Sequence, residues 1–187
     1  MNSCQPENFA CVVVDMVNGF VKAGAMADPA IMGITPAIVR VLERTDESRR
    51  VFFADTHEKD CIEFAAFPPH CVRGTEESEI IDELKPYVTA VIIPKNSTNG
   101  FHAMKDLSVF SGVDSVVVTG CCTDICVLQF ALTLKTWFNE NDLKKDVIIP
   151  RDCVDTYNAP GHDRDAFNDM ALTLMQNAGI IVTDSIF

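Results

Sequence analysis

An aspartate, a lysine and a cysteine stand beside separate apolar runs, a placement that could bring a proton acceptor, a cation and a nucleophile to one edge of a sheet. Asp15 directly follows Val12-Val13-Val14, and Lys95 closes Ile92-Ile93-Pro94. Cys126 lies in Thr119-Gly120-Cys121-Cys122-Thr123-Asp124-Ile125-Cys126, which joins another apolar run to the strongest helical pattern in the chain. A thiol in the first turn of a helix meets the positive end of the helix dipole, which favours the thiolate. Each residue alone also has a plain structural reading: Asp15 as a turn cap, Lys95 as a solvated charge, Cys126 as a small buried apolar side chain. The chemical reading rests on their convergence.

A second group reads Asp55-Thr56-His57, then Glu63, then Phe67-Pro68-Pro69-His70. In an extended Asp-x-His the two side chains point the same way and can share a cation, with Glu63 and His70 closing the shell from the loop. The alternative is a polar loop with local turn hydrogen bonds. His102 and His162 stand near helix starts without such company and read as structural or solvated.

The elements that must hold these residues are legible as short, continuously apolar runs: 11–14, 51–54, 90–93, 115–118, 146–149 and 180–182. Runs that do not alternate belong to strands covered on both faces, so six strands in a mainly parallel sheet are expected. Helices are expected from Thr35 to about Glu47, with Thr35 as N-cap and Pro36 at the first position, over Glu76–Leu84, Ala103–Phe110 and Thr123–Phe138, and over Asp163–Asn177 with Gly179 near the C-cap. This alternation predicts an α/β, doubly wound, Rossmann-like sandwich formed by residues 1–187 as a single domain. Asn18–Met32 and Thr56–Thr75 follow strand ends and are rich in turn formers, the position of ligand-binding loops in such sheets.

Composition narrows the field. The 187 residues carry a net charge of −12 and no basic stripe, which argues against nucleic acid as a partner. No apolar run reaches the length of a membrane span, and Met1–Asn8 lacks the pattern of a signal peptide, so the expected location is the cytoplasm and no membrane association is expected. The eight cysteines are then expected to be mostly reduced thiols. The first strand is not followed by Gly-x-Gly-x-x-Gly, which argues against a dinucleotide-binding dehydrogenase.

Taken together, Val12-Val13-Val14-Asp15 with Asn18-Gly19-Phe20, Asp55-Thr56-His57 with Phe67 to Thr75, Pro94-Lys95, and Thr119 to Val127 occur in an order that resembles the isochorismatase-like cysteine hydrolases, and within them the nicotinamidase/pyrazinamidase branch. The resemblance covers nearly the whole chain. It implies a catalytic triad of Asp15, Lys95 and Cys126, a cis peptide between Cys121 and Cys122, and an oxyanion hole from the backbone N–H groups of Cys122 and Cys126. It further implies a divalent metal on Asp55, His57 and His70, with Glu63 as an added ligand, zinc as the first choice and iron or manganese as alternatives. Phe20 and Phe67 match positions that line the substrate pocket. The activity implied is deamidation of nicotinamide to nicotinate and ammonia, as in NAD salvage, and a homo-oligomer is compatible with the resemblance. The rivals are a related hydrolase acting on a carbamoyl, ureido or maleamate-like amide, and a non-catalytic binding protein that retains the fold.

Overall fold

The central strand of this protein is apolar throughout because it is covered on both sides. In the computed structural model, which describes residues 5–89 and 92–187, every residue of β1 (Phe9–Val14) is buried. Its neighbours are β2 (Arg50–Asp55) on one flank and β4 (Ser115–Cys121) on the other. The sheet continues outward to β3 (Ile92–Lys95) beyond β2, and to β5 (Asp146–Pro150) and β7 (Ile181–Thr183) beyond β4, in the order β3-β2-β1-β4-β5-β7. All these pairs are parallel.

The six expected strands are present, several of them longer than the apolar runs. Ala90 and Val91, placed in the third strand by the sequence, lie outside the described residues. A further strand, β6 (Val154–Asp155), pairs with the end of β4. Two residues are too short to register as an apolar run.

Side chains alternate across β1. Cys11 and Val13 pack with Ile38, Val41 and Leu42 of helix α2 (Thr35–Glu43), after the single-turn α1 (Asn18–Val21). Ala10, Val12 and Val14 meet Phe130, Leu134 and Phe138 of α3 (Leu128–Glu140) and Leu172 and Met175 of α4 (Arg164–Asn177). Each fully buried Leu or Phe of these two layers contributes about 1.5–3 kcal/mol relative to exposure. No helix of the described residues is long and apolar enough to cross a membrane.

Three helical expectations are corrected. Thr35 is the first residue of α2 rather than its cap, because a 3-10 turn over Pro29–Ile34 runs directly into the helix and Thr35 N donates to Met32 O. Glu76–Leu84 forms no α-helix. Only Glu76–Ser78 makes a 3-10 turn, after which the chain is drawn out against the exit of β1: Asn18 N donates to Glu79 O at 2.9 Å, Ile81 N donates to Met16 O at 3.0 Å, and Ile80 bridges Val17. Ala103–Phe110 likewise gives way to 3-10 turns at Gly100–Ala103 and Ser108–Phe110. There Asp106 accepts from both Ser108 N and Ser108 Oγ at 2.8 Å, a local side-chain bond that competes with helix formation. The strong helix after β4 begins as a π-helical turn over Thr123–Val127 before α3.

The chain moves outward from β1 through β2 to β3, then crosses back to β4 on the other flank. Loops leaving β1 and β4 therefore part at their carboxyl ends, which opens a crevice there. Gly120 makes the close approach at this point: it pairs with Val14, has φ +107°, and a Cβ built on it would lie 2.0 Å from Val14 O. Gly120→Ala is expected to destabilise the protein by more than about 3 kcal/mol in urea unfolding. Gly33→Ala, where a Cβ meets nothing within 4 Å, is expected to stay within about 1 kcal/mol of the parent protein.

Candidate active site

Four strand ends converge on the crevice. Asp15 leaves β1 with φ 51°, a left-handed conformation uncommon for a residue with a side chain. Its backbone is held from both flanks, since Asp15 N donates to Phe53 O at 3.2 Å and Cys121 Sγ donates to Asp15 O at 3.2 Å. Asp55 ends β2 directly opposite Lys95 on β3. These placements bury Asp15, Asp55 and Lys95 almost completely.

Lys95 is the shared cation. Its Nζ lies 2.8 Å from Asp15 Oδ2, donates to Asp55 Oδ1 at 2.7 Å and to Ser97 O at 3.0 Å, and reaches Cys126 Sγ at 3.8 Å. Burial works against its charge, but the carboxylate of Asp15, together with Cys126 and Asp55, holds its pKa well above the usual lysine value. Burial pushes the Asp15 carboxyl up to about 6 against the pull of Lys95. The Cys126 thiol is likewise pushed well above the usual range by burial, which outweighs Lys95. Burial and the pull of Lys95 thus act on the Cys126 thiol in opposite directions.

Cys126 sits in the π-helical turn, where Cys122 O accepts from both Ile125 N and Val127 N at 3.1 Å. The Cys121–Cys122 peptide is cis. All seven described cysteines are free; Cys4 lies outside the described residues.

The second group assembles beside the first. His57 N donates to Cys71 O at 3.0 Å and Arg73 N to His57 O at 2.8 Å, so the loop carrying His70 docks against the exit of β2. Asp55 Oδ2 lies 2.9 Å from His57 Nε2 and 3.0 Å from His70 Nε2, and the two Nε2 atoms are 3.1 Å apart. Thr98 N donates to Glu63 Oε2 at 3.0 Å, leaving Glu63 Oε1 3.8 Å from His57 Nε2. One donor atom from each of Asp55, His57, Glu63 and His70 falls within 4.8 Å of the others. Burial raises the Asp55 carboxyl, but Lys95 and hydrogen bonds from both histidines hold it well below the usual carboxylate range.

This donor set fits a divalent metal. His70 Nδ1 faces Pro68 O at 2.8 Å and His57 Nδ1 faces Asn96 Oδ1 at 3.1 Å, each an acceptor that can hold the Nδ1 proton, so that Nε2 could give up its own proton and its bond to Asp55 when a metal binds. Two imidazole nitrogens and two carboxylates then point at one spot, a ligand set suited to zinc, iron or manganese. Asn96 had no individual signal in the sequence. It belongs to the polar run Asn96-Ser97-Thr98-Asn99 that follows Lys95.

A pocket lies between the two groups. Phe20, Phe67, Met26 and Ile125 form its apolar walls, with Cys122 and Cys126 on one side and Asp55, Glu63 and His70 on another. Phe20 and Phe67 thus stand near each other, with rings 5.5 and 6.3 Å from that of His70. The free space within is about 20 Å³, room for one water. Met26 and Phe67 also border an outer cleft of about 550 Å³. His102 is exposed, whereas His162 is buried against the far side of the Cys126 turn.

Comparison with known proteins agrees with this geometry. Residues 9–186 match the model of the Isochorismatase domain. The chain is 32% identical over 175 residues to Nicotinamidase 1 of Arabidopsis thaliana, covering 81% of this chain and 70% of the relative. Among solved structures it resembles a nicotinamidase/pyrazinamidase from Acinetobacter baumanii (TM-score 0.76, 25% identity, 95% and 96% of the two chains). It also resembles N-carbamoylsarcosine amidase from Thermoplasma acidophilum (TM-score 0.75, 27% identity, 94% and 95%).

The donor set predicts the metal chemistry of variants. Protein dialysed against a divalent metal and analysed by atomic emission is expected to hold one ion per chain. His57→Ala and His70→Ala should each lose it, and Asn96→Ala should weaken it about 10- to 100-fold. Cys126→Ala should retain it. Full metal content in His57→Ala would remove this group from metal binding.

Proposed function

Because the chain belongs to the isochorismatase family, whose members matched here include amide hydrolases, we propose that it is a cysteine amidohydrolase that deamidates nicotinamide through a thioester. The buried cluster of Asp15, Lys95 and Cys126 carries this reading. Asp15 takes the Cys126 thiol proton as Sγ attacks the carboxamide carbon, so the proton that burial holds on sulfur leaves as the S–C bond forms. The N–H groups of Cys122 and Cys126 receive the developing oxyanion, and Lys95 balances the negative charge. Asp15 returns the proton to the departing nitrogen and ammonia leaves. Asp15 then deprotonates a water that attacks the thioester, releasing the acid and restoring the thiol with that water's proton.

A zinc ion on Asp55, His57, His70 and Glu63 would supply an electrophilic contact for a ring nitrogen. Phe20 and Phe67 flank the flat ring. The neighbouring carbamoylsarcosine amidase favours a second reading, a hydrolase of another small amide. A carbamoyl amino acid carries a carboxylate, however, and neither lysine nor arginine lines the pocket. Lys95, the nearest cation, is already paired with two carboxylates. A neutral aromatic amide fits these walls better.

Ammonia release by the metal-loaded protein tests the proposal. Nicotinamide and pyrazinamide are expected to be cleaved, with benzamide at least about 100-fold poorer because it lacks the nitrogen that fixes the ring. Equal rates on benzamide would sink the nicotinamide assignment and leave a general amide hydrolase. Cys126→Ala should abolish turnover, whereas Cys121→Ala should keep much of it.

The pH profile provides a separate test. Asp15 must be ionised to accept the thiol proton, and its carboxyl keeps its own proton up to about pH 6. Activity should therefore rise through pH 6 and fall about tenfold per unit below it. An acid limb near the ordinary aspartate value would remove Asp15 from the role of base.

A further inference from the structure

His162 belongs to neither the triad nor the metal group, yet it is held from four directions. Its ring stacks between Tyr157 and Phe167 with centroids 3.8 Å from each. Nδ1 lies 3.0 Å from Tyr157 O, and Nε2 lies 2.9 Å from Asp124 Oδ2. The other oxygen of Asp124 accepts from Thr156 Oγ1 at 2.5 Å. Asp124 stands in the Thr123–Val127 turn, between the two cysteines on which the proposed reaction depends.

The turn has few other polar ties on this side. The hydroxyl of Thr123, also buried in it, has no hydrogen-bond partner among the described residues. The backing loop, in contrast, is firmly braced. Arg164 at the start of α4 donates to Thr156 O at 2.8 Å and pairs with Asp28 at 2.5 Å, while Asp155 accepts from Thr156 N at 2.8 Å and from Asn168 Nδ2 at 2.9 Å. His162 is thus a rigid strut standing on α4 and bearing on the nucleophile turn through one carboxylate.

We propose that His162 is a positioning residue for amide hydrolysis: through Asp124 it fixes the Cys122–Cys126 turn, so that Cys126 Sγ and the turn's N–H groups are aimed together at the carbonyl. This rests on the amidohydrolase reading above. A strut that aims reacting groups acts on the chemical step, since a misplacement of about 1 Å costs on the order of 100-fold in rate while ring binding elsewhere in the pocket is kept.

The test uses the metal-loaded full chain, with ammonia release and the rate of Cys126 alkylation by iodoacetamide, mapped by peptide mass, as readouts. His162→Ala is expected to lower kcat about 10- to 100-fold with KM within about twofold, and to change the alkylation rate of Cys126. His162→Gln, whose amide can still donate to Asp124, should recover much of the loss. His162→Ala combined with Asp124→Ala should be no worse than Asp124→Ala alone, because the two act as one unit. A folded His162→Ala with the parent kcat, a His162→Gln as impaired as the alanine variant, or additive losses in the double variant would each overturn the proposal. If His162→Ala does not fold, His162→Phe, which keeps the ring stack but cannot donate to Asp124, takes its place. It should lower kcat at constant KM, and an unchanged kcat would refute the strut. If the parent protein cleaves no amide, the amidohydrolase reading fails, while the alkylation arm still decides whether His162 controls the cysteine.

Discussion

The structure depends on one buried ammonium. Lys95 is 1% exposed and sits between Asp15 and Asp55, which are exposed by 0% and 1%. Two buried carboxylates around one point would repel each other without it, and either alone would suffer a heavy desolvation penalty. The lysine makes the pair tolerable, and because it grows from the end of β3 opposite Asp55 while Asp15 ends β1, it also ties three parallel strands together at their carboxyl edge. Removing one partner from such a buried cluster typically costs about 3–5 kcal/mol, much of it the penalty of the charge left behind.

This cation divides two carboxylates into two roles. Asp55 also receives both histidines, so its negative charge is stabilised from two sides and its pKa falls. Asp15 has the lysine but no histidine donors, and burial dominates, lifting it to about 6. The two aspartates thus differ in proton affinity although they share one lysine. The same burial pushes the Cys126 thiol upward, against the pull of Lys95.

Much of the frame was legible because parallel strands leave an unmistakable mark. Val12-Val13-Val14 and Val116-Val117-Val118 are apolar without interruption, and the residues that follow such runs must emerge at one edge, so Asp15, Asp55 and Lys95 could be located before their contacts were known. The helical readings of Glu76–Leu84 and Ala103–Phe110 failed for a common reason: local periodicity was outweighed by hydrogen bonds to Met16 and Asn18 in one case and to the Asp106 side chain in the other. Such partners are fixed by tertiary structure or by turn chemistry, neither of which a hydrophobic pattern records. Asn96 escaped notice, and His162 was read only as structural or solvated, on the same ground, since each makes a contact 38 or more residues away in the chain.

The pocket is walled by apolar side chains and by the acidic side chains of Asp55 and Glu63. Its free space of about 20 Å³ holds about one water, so the pocket is narrow between its walls. Phe20 is 4% exposed and lies beneath the surface, and the strand ends are fixed by the ion pairs of Lys95. Met26 and Phe67 are only partly buried and face the outer cleft as well. They are the walls free to yield. A thioether with three rotatable bonds and a phenyl ring can part and close over a planar ligand at small cost, and the closed state then excludes water from the nucleophile. A charged carboxylate taken into the same space would find the lysine already paired and two acidic side chains ahead of it, Asp55 and Glu63.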